Sequence, residues 1–281
     1  MATTHVAPQN GVCWWWLPSW LGLDSPFVIT TWTVAVSRTL GTPLGWEVYA
    51  AQFFACWSVY LADRLIDVRR CRDWSRVNGR LEFGRRVQRL LRVFLGFNGI
   101  VLAGLLISGT VSEVAVRGLA VAFGVLGYGL LFVVPVIFRE KLPGKEFGIG
   151  LFSVLGIWAA FGSEPGLWPL LPGVALVVMM NCFVIAARDR EIDQANDPGG
   201  ASLWWKQMDR QLPIFGILGA AASGAMVVIG DEPRFFFALL LAFVGLVVLH
   251  RGANRISADS VRAVADLCLL TPWLTVLFAL G

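Results

Sequence analysis

Histidine is nearly absent: the 281 residues hold only His5 and His250, which excludes His-based catalysis and His-rich metal sites. Cysteines 13, 56, 71, 182 and 268 are odd in number, scattered and without a CxxC pair. Neither a zinc site nor a disulfide framework is indicated by that pattern. Charge is also scarce, at 15% of residues against about 25% in soluble domains. The opening stretch MATTHVAPQNGVCWWWLPSW has no basic n-region, and Pro18 interrupts its apolar part, so it does not read as a secretory signal. Trp14, Trp15, Trp16 and Trp20 are expected to form an interfacial belt. No soluble domain, linker or low-complexity tail is evident. Residues 1–281 read as one transmembrane domain, with 1–23 an N-terminal cytoplasmic or interfacial segment and 24–281 a helical bundle.

What the chain does have is apolar length. Hydrophobic residues make up 57% and the mean hydropathy is +0.68. Apolar runs at 95–107, 114–138, 147–160, 168–187, 212–230, 235–249 and 264–280 approach or reach the ~20 residues that cross a bilayer as a helix. Weaker runs at 27–40 and 46–62 bring the expectation to an all-α, polytopic membrane protein of about nine spans.

The basic residues then fix the sides. Ten arginines fall between Arg64 and Arg92, and 20 of the 23 basic residues lie in alternate loops. By the positive-inside rule those loops are cytoplasmic, the N-terminus is inside and the C-terminus outside. The net charge of +4 is a topology signal and predicts no nucleic-acid partner. The arginine-rich loop suits anionic lipids, each contact being worth about 1 kcal/mol, and the stretch RLEFGRRVQRLLRVFLG is amphipathic enough to lie along the interface.

Against this background one acidic phrase occurs twice. ADRLID, residues 62–67, and RDREID, residues 188–193, share Asp-Arg-x-Ile-Asp 126 positions apart. Spans two and six end on them, so both exits face the cytoplasm. On a helix, residues i and i+4 share a face, which pairs Asp63 with Asp67 and Asp189 with Asp193. Like charges at that spacing destabilise a helix by a few tenths of a kcal/mol. A carboxylate inside the hydrocarbon costs about 2.5–3.5 kcal/mol at mid-span. A bound cation relieves both penalties, and Mg²⁺ favours one or two carboxylates together with substrate phosphate oxygens. A single copy would read as a water-boundary marker with Arg64 pairing Asp67; two copies on one side point to a diphosphate site. Lys141 and Lys145, together with Arg64, Arg188 and Arg190, are the nearby cations. Tyr60 and Asn181 lie one to two turns deeper on the same spans and are candidate cavity residues.

Nine spans, an aspartate motif after spans two and six, and the basic loop FREKLPGKEFGIGLFSVLG before span five resemble the UbiA superfamily of intramembrane prenyltransferases. The resemblance implies a UbiA-like helical bundle. It also implies Mg²⁺-dependent transfer of a prenyl group from an isoprenoid diphosphate to an aromatic or lipid acceptor. Asp63, Asp67, Asp189 and Asp193 would hold Mg²⁺, while Arg64, Lys141, Lys145 and Arg190 would take the diphosphate. Expected partners are the prenyl diphosphate, its acceptor and membrane lipids, in a bacterial cell membrane. The motifs depart from the family pattern: Val59 and Tyr60 replace an Asn and the first Asp, Asn181 and Cys182 replace a Tyr-Asp pair, and Ile192 stands at an acidic position. These losses keep two alternatives open, a terpene cyclase of the same kind and a non-catalytic binder or transporter of isoprenoid or lipid diphosphates. The CDP-alcohol phosphotransferases also use spaced aspartates, but their signature sits in one stretch opened by Asp-Gly, which is lacking here.

Overall fold

Glycine and proline set the breaks between helices. The computed structural model describes residues 14–133, 145–196 and 200–277, and all regular structure among them is helical. A 3-10 turn at Trp14–Trp16 leads into the single turn α1 (Leu17–Trp20). Gly22, at φ +68°, makes the left-handed step into α2 (Asp24–Thr39), and Gly41, at φ +63°, ends it. Positions with positive φ favour a residue without Cβ. α3 (Trp46–Arg70) has 25 residues, or about 37 Å at the helical rise of ~1.5 Å per residue. The first motif, Asp63–Asp67, lies in the last two turns of this helix.

Asn78 caps α4 (Gly79–Arg86) by accepting from the Leu81 N–H at 3.0 Å, and α5 (Gln88–Ile107) follows after Val87. The amphipathic stretch is therefore two helices rather than one. α6 (Ser112–Val133) precedes α7 (Lys145–Phe161) and α8 (Leu171–Arg188), whose first turn carries Pro172. Two short pieces, α9 (Arg190–Asn196) and α10 (Ala201–Trp204), lead to α11 (Met208–Ile229) and α12 (Pro233–Gly252). The ninth predicted span is interrupted: α13 (Ala258–Cys268) stops before α14 (Pro272–Leu277). Pro272 lacks the N–H needed to continue the hydrogen-bond ladder, which accounts for the break. Four stretches are long and apolar enough to cross a membrane among the described residues: Gln88–Ile107, Pro165–Arg188, Met208–Ile229 and Pro233–Arg255.

α2 occupies the middle of the bundle, touching α3, α7, α12, α13 and α14. Trp32 and Val36 on it are fully buried at 0% exposure, packed in one cluster with Val174 and Val177 of α8 and Leu239 and Leu246 of α12. Close approach needs small residues at the contacts. A Cβ on Gly150 would lie 2.3 Å from Met179 Cγ and 3.1 Å from the Ala175 carbonyl oxygen, so α7 reaches α8 only because position 150 is glycine. The outer faces of α5, α6 and α11 expose Phe97, Ile100, Phe123, Leu126, Ile217 and Leu218, as suits contact with lipid tails.

The tryptophan cluster departs from the expected belt. Only Trp14 is strongly exposed, at 80%; Trp16 and Trp20 are buried, with Trp20 against Phe83 of α4 at 5.3 Å between ring centres. Asp259 holds that packing, accepting from Trp20 Nε1 at 3.2 Å and from the Gly79 N–H at 3.2 Å. The N-terminal aromatics thus pack onto the motif end of the bundle.

Candidate functional site

The two motif exits lie side by side, and an unpredicted residue fastens them. Asn196, at the end of α9, accepts from the backbone N–H groups of Arg72 and Asp73, both at 3.0 Å. Its amide donates to the Arg76 carbonyl at 2.9 Å. The loop leaving the first motif is therefore clamped to the helix that carries the second. In that loop Ser75 donates to Asp73 Oδ1 from its hydroxyl at 2.6 Å and its N–H at 2.9 Å, which holds the Asp73 carboxyl below the usual carboxylate range.

The first motif sits on one continuous helix, as expected, and Asp63 and Asp67 face each other's field. Lys145 at the start of α7 reaches Asp63 at 3.7 Å, and Arg80 of α4 reaches Asp67 at 3.5 Å. Arg64 departs from expectation. Expected to take the diphosphate, it is instead 3% exposed and donates to the backbone carbonyls of Trp20 at 3.4 Å and Ser19 at 3.5 Å. An arginine that can be satisfied by carbonyls is drawn into the protein wherever an N-terminal segment covers it, and here Leu17–Trp20 does so.

The second motif does not lie on one straight helix. Asp189 ends α8 with φ −87° and ψ 7°, and the chain restarts as α9 at Arg190. One hydrogen bond, Asp193 N–H to the Asp189 carbonyl at 2.8 Å, spans the junction, but the two carboxylates diverge. Asp189 pairs with Arg262 of α13, both side chains nearly buried at 10% and 12%. Asp193 accepts from Ser202 Oγ at 2.9 Å, in a space that exists because residue 200 is glycine: a Cβ there would lie 2.7 Å from Asp193 Oδ2. Arg190 points the same way, donating to the Ser202 carbonyl at 3.0 Å and pairing with Asp209 at 3.5 Å. Lys141 lies outside the described residues.

Arg262 was not foreseen, and it links the two motifs. Besides Asp189 it acts electrostatically on Asp67, and Asp266, Asp259 and Asp24 act on it. Below it a polar seam continues between α2, α3, α8 and α13. Asn181 Nδ2 donates to Asp266 Oδ1 at 2.9 Å, Asp24 and Asp266 stand in each other's field, and Tyr60 stands beside Ser25 and Asp24. The predicted cavity residues Tyr60 and Asn181 are thus on one seam, together with Asp24 and Asp266. A sequence signal for these two acids exists: an ionisable residue inside an apolar run is a functional candidate on cost alone.

The donor chemistry of the four motif aspartates, all oxygen, suits Mg²⁺. Their arrangement does not: each is engaged by a group of the chain itself, and among the described residues no three His, Cys, Asp or Glu side chains gather where one cation would touch them. Comparison with protein-family models, curated proteins and solved structures finds no match for this chain.

Proposed function

We propose that the chain is a UbiA-like intramembrane prenyltransferase with nine spans and its motif end in the cytoplasm. In this reading an isoprenoid diphosphate binds at the motif end, and the prenyl group passes to an acceptor held deeper in the bundle. The observation that carries the proposal is the meeting of the two Asp-Arg-x-Ile-Asp exits, tied by Asn196, with Lys145, Arg80 and Arg262 distributed among the acids.

Lys145, Arg80 and Arg262 are the groups that would meet the diphosphate. As the bond between the first prenyl carbon and the diphosphate oxygen breaks, both electrons leave with the oxygen. Fixed cations aimed at such developing charge are the largest single source of rate in many enzymes. The apolar chain has a place beside them. A cavity of about 440 Å³ is lined by Tyr128, Phe147, Leu151, Val154, Ala175 and Met179, and it starts within one turn of Lys145. The acceptor's nucleophilic atom bonds to the freed carbon and gives up its proton. The neighbouring carboxyls of Asp24 and Asp266, the latter oriented by Asn181, supply the base within the seam.

One observation favours a second reading, in which the protein binds or moves the lipid diphosphate without chemistry: all four motif carboxylates are already engaged. The two readings part in one experiment. The full chain in lipid nanodiscs is incubated with farnesyl or geranylgeranyl diphosphate, with Mg²⁺ or with EDTA, and released diphosphate is counted. Transfer predicts release that falls at least a hundredfold in Arg80→Gln, which removes a cation from the leaving diphosphate, and in Asp266→Asn. Saturable binding with no release, alike in wild type and variants, establishes the second reading and overturns the first.

A further inference from the structure

Beyond that reading, and independent of it, a second polar cavity lies outside the acidic mouth. It measures about 400 Å³ and is lined by Val184, Ala187, Arg188, Asp209, Pro213, His250, Arg251, Ala253 and Asn254. Three helices meet around it: α8 supplies Arg188, α11 supplies Asp209 and Pro213, and α12 with its following turn supplies His250, Arg251 and Asn254.

The polar groups there are underused. Arg188, which stands next to the second motif in sequence, turns away from it and donates only to the Ile256 carbonyl at 3.4 Å; its Nε is buried without a partner. His250 meets the Asp209 carbonyl through Nε2 at 3.3 Å, and its Nδ1 is likewise buried and unpartnered. Arg188 Nε is a buried donor left unmatched, at a cost of about 1–3 kcal/mol, so a ligand that accepts hydrogen bonds completes this cavity. Arg251 is exposed and makes no ion pair among the described residues. The one acid, Asp209, is occupied by Arg190 at 3.5 Å. Two arginines and the Asn254 amide around one space offer hydrogen-bond donors to a phosphate.

What adjoins the cavity selects the kind of phosphate. Ile217 lies one turn beyond Pro213 on α11, and Val248 and Val244 lie one and two turns before Arg251 on α12; all three are exposed. An apolar strip therefore runs from the phosphate-sized space along the outer surface of the bundle. We propose that this cavity binds the phosphodiester headgroup of an anionic phospholipid, with the acyl chains laid along the exposed faces of α11 and α12. Basic pockets between the ends of membrane helices hold such headgroups through a few arginine contacts.

The test uses the full chain purified in detergent doped with phosphatidylglycerol or phosphatidylcholine, with retained lipids counted by native mass spectrometry. Phosphatidylglycerol is expected to stay bound under activation that strips phosphatidylcholine. Arg251→Gln is expected to reduce that retention roughly fivefold, the loss of one arginine–phosphate contact, and Arg188→Gln to reduce it at least as much. Arg234→Gln, at the opposite end of α12 from Arg251, should leave retention unchanged. Because Arg251 has no ion-pair partner, its replacement leaves the fold intact, which its melting temperature checks. Equal retention of the two lipids, or no effect of Arg251→Gln, overturns the proposal. Displacement of phosphatidylglycerol by an equal concentration of inorganic phosphate also overturns it, by assigning the cavity to a soluble anion.

Discussion

Removing Arg262 is the sharpest perturbation available. Its guanidinium pairs with Asp189, and the two side chains keep only 12% and 10% of their exposure. Breaking a buried pair by deleting one member strands the other charge and costs about 3–5 kcal/mol. Arg262→Gln also leaves Asp266, Asp259 and Asp24 without the cation that lies among them. The lower end of that range, about 3 kcal/mol, is expected here because the site opens onto the motif end of the bundle. At roughly 2–4 °C per kcal/mol, the melting temperature should fall by at least about 6 °C. Lys145 supplies the internal control. It meets Asp63 at 3.7 Å with both side chains about 40% exposed, and pairs of that kind are worth less than about 1 kcal/mol. Lys145→Gln should therefore barely move the melting temperature. The intrinsic fluorescence of 13 tryptophans reports unfolding in detergent. Arg262→Gln combined with Asp189→Asn should recover more than half of the loss, since the stranded charge is gone. If Arg262→Gln is no worse than Lys145→Gln, or the double variant is as unstable as the two singles added, the ion pair is not what joins the motifs.

The clamp at Asn196 should fail locally rather than globally. Asn196→Ala removes five hydrogen bonds to the loop after α3, so amide exchange at residues 71–76 should accelerate by tenfold or more while the helices keep their protection. At the α7–α8 contact, Gly150→Ala sets a Cβ 3.1 Å from a backbone oxygen that cannot swing aside. Overpacking of this sort costs about 1–3 kcal/mol, read as a drop of several degrees in the melting temperature.

The all-helical architecture was legible because nothing but helices can bury so many apolar runs in lipid with their backbone satisfied. The meeting of the two motifs was legible for a simpler reason: the expected spans between them are even in number, which puts both exits on one side. The partners of the motifs were not. Arg262 lies 73 residues from Asp189 and Asn196 lies 123 from Asp73, and single polar residues carry no periodic signal. The bend at Asp189 was hidden because neither proline nor glycine marks it; Asp193 is pulled round by Ser202 and the space at Gly200, both later in the chain. Pro272 was a visible signal, but the apolar run 264–280 reads through it as one span and the break was missed.

These partners change what the repetition means. Identical words would serve identical roles only in equivalent surroundings, and the surroundings differ. Asp63 and Asp67 ride one rigid helix and meet half-exposed cations that a phosphate can compete for. Asp189 is committed to a nearly buried arginine, and Asp193 to a hydroxyl. An incoming diphosphate would therefore displace the carboxylates of the first copy from Lys145 and Arg80 far more easily than it would separate Asp189 from Arg262. The first copy is then the exchangeable side of the mouth and the second its fixed frame. That asymmetry requires Asp63→Asn to alter ligand affinity with little loss of stability, and Asp189→Asn to do the reverse.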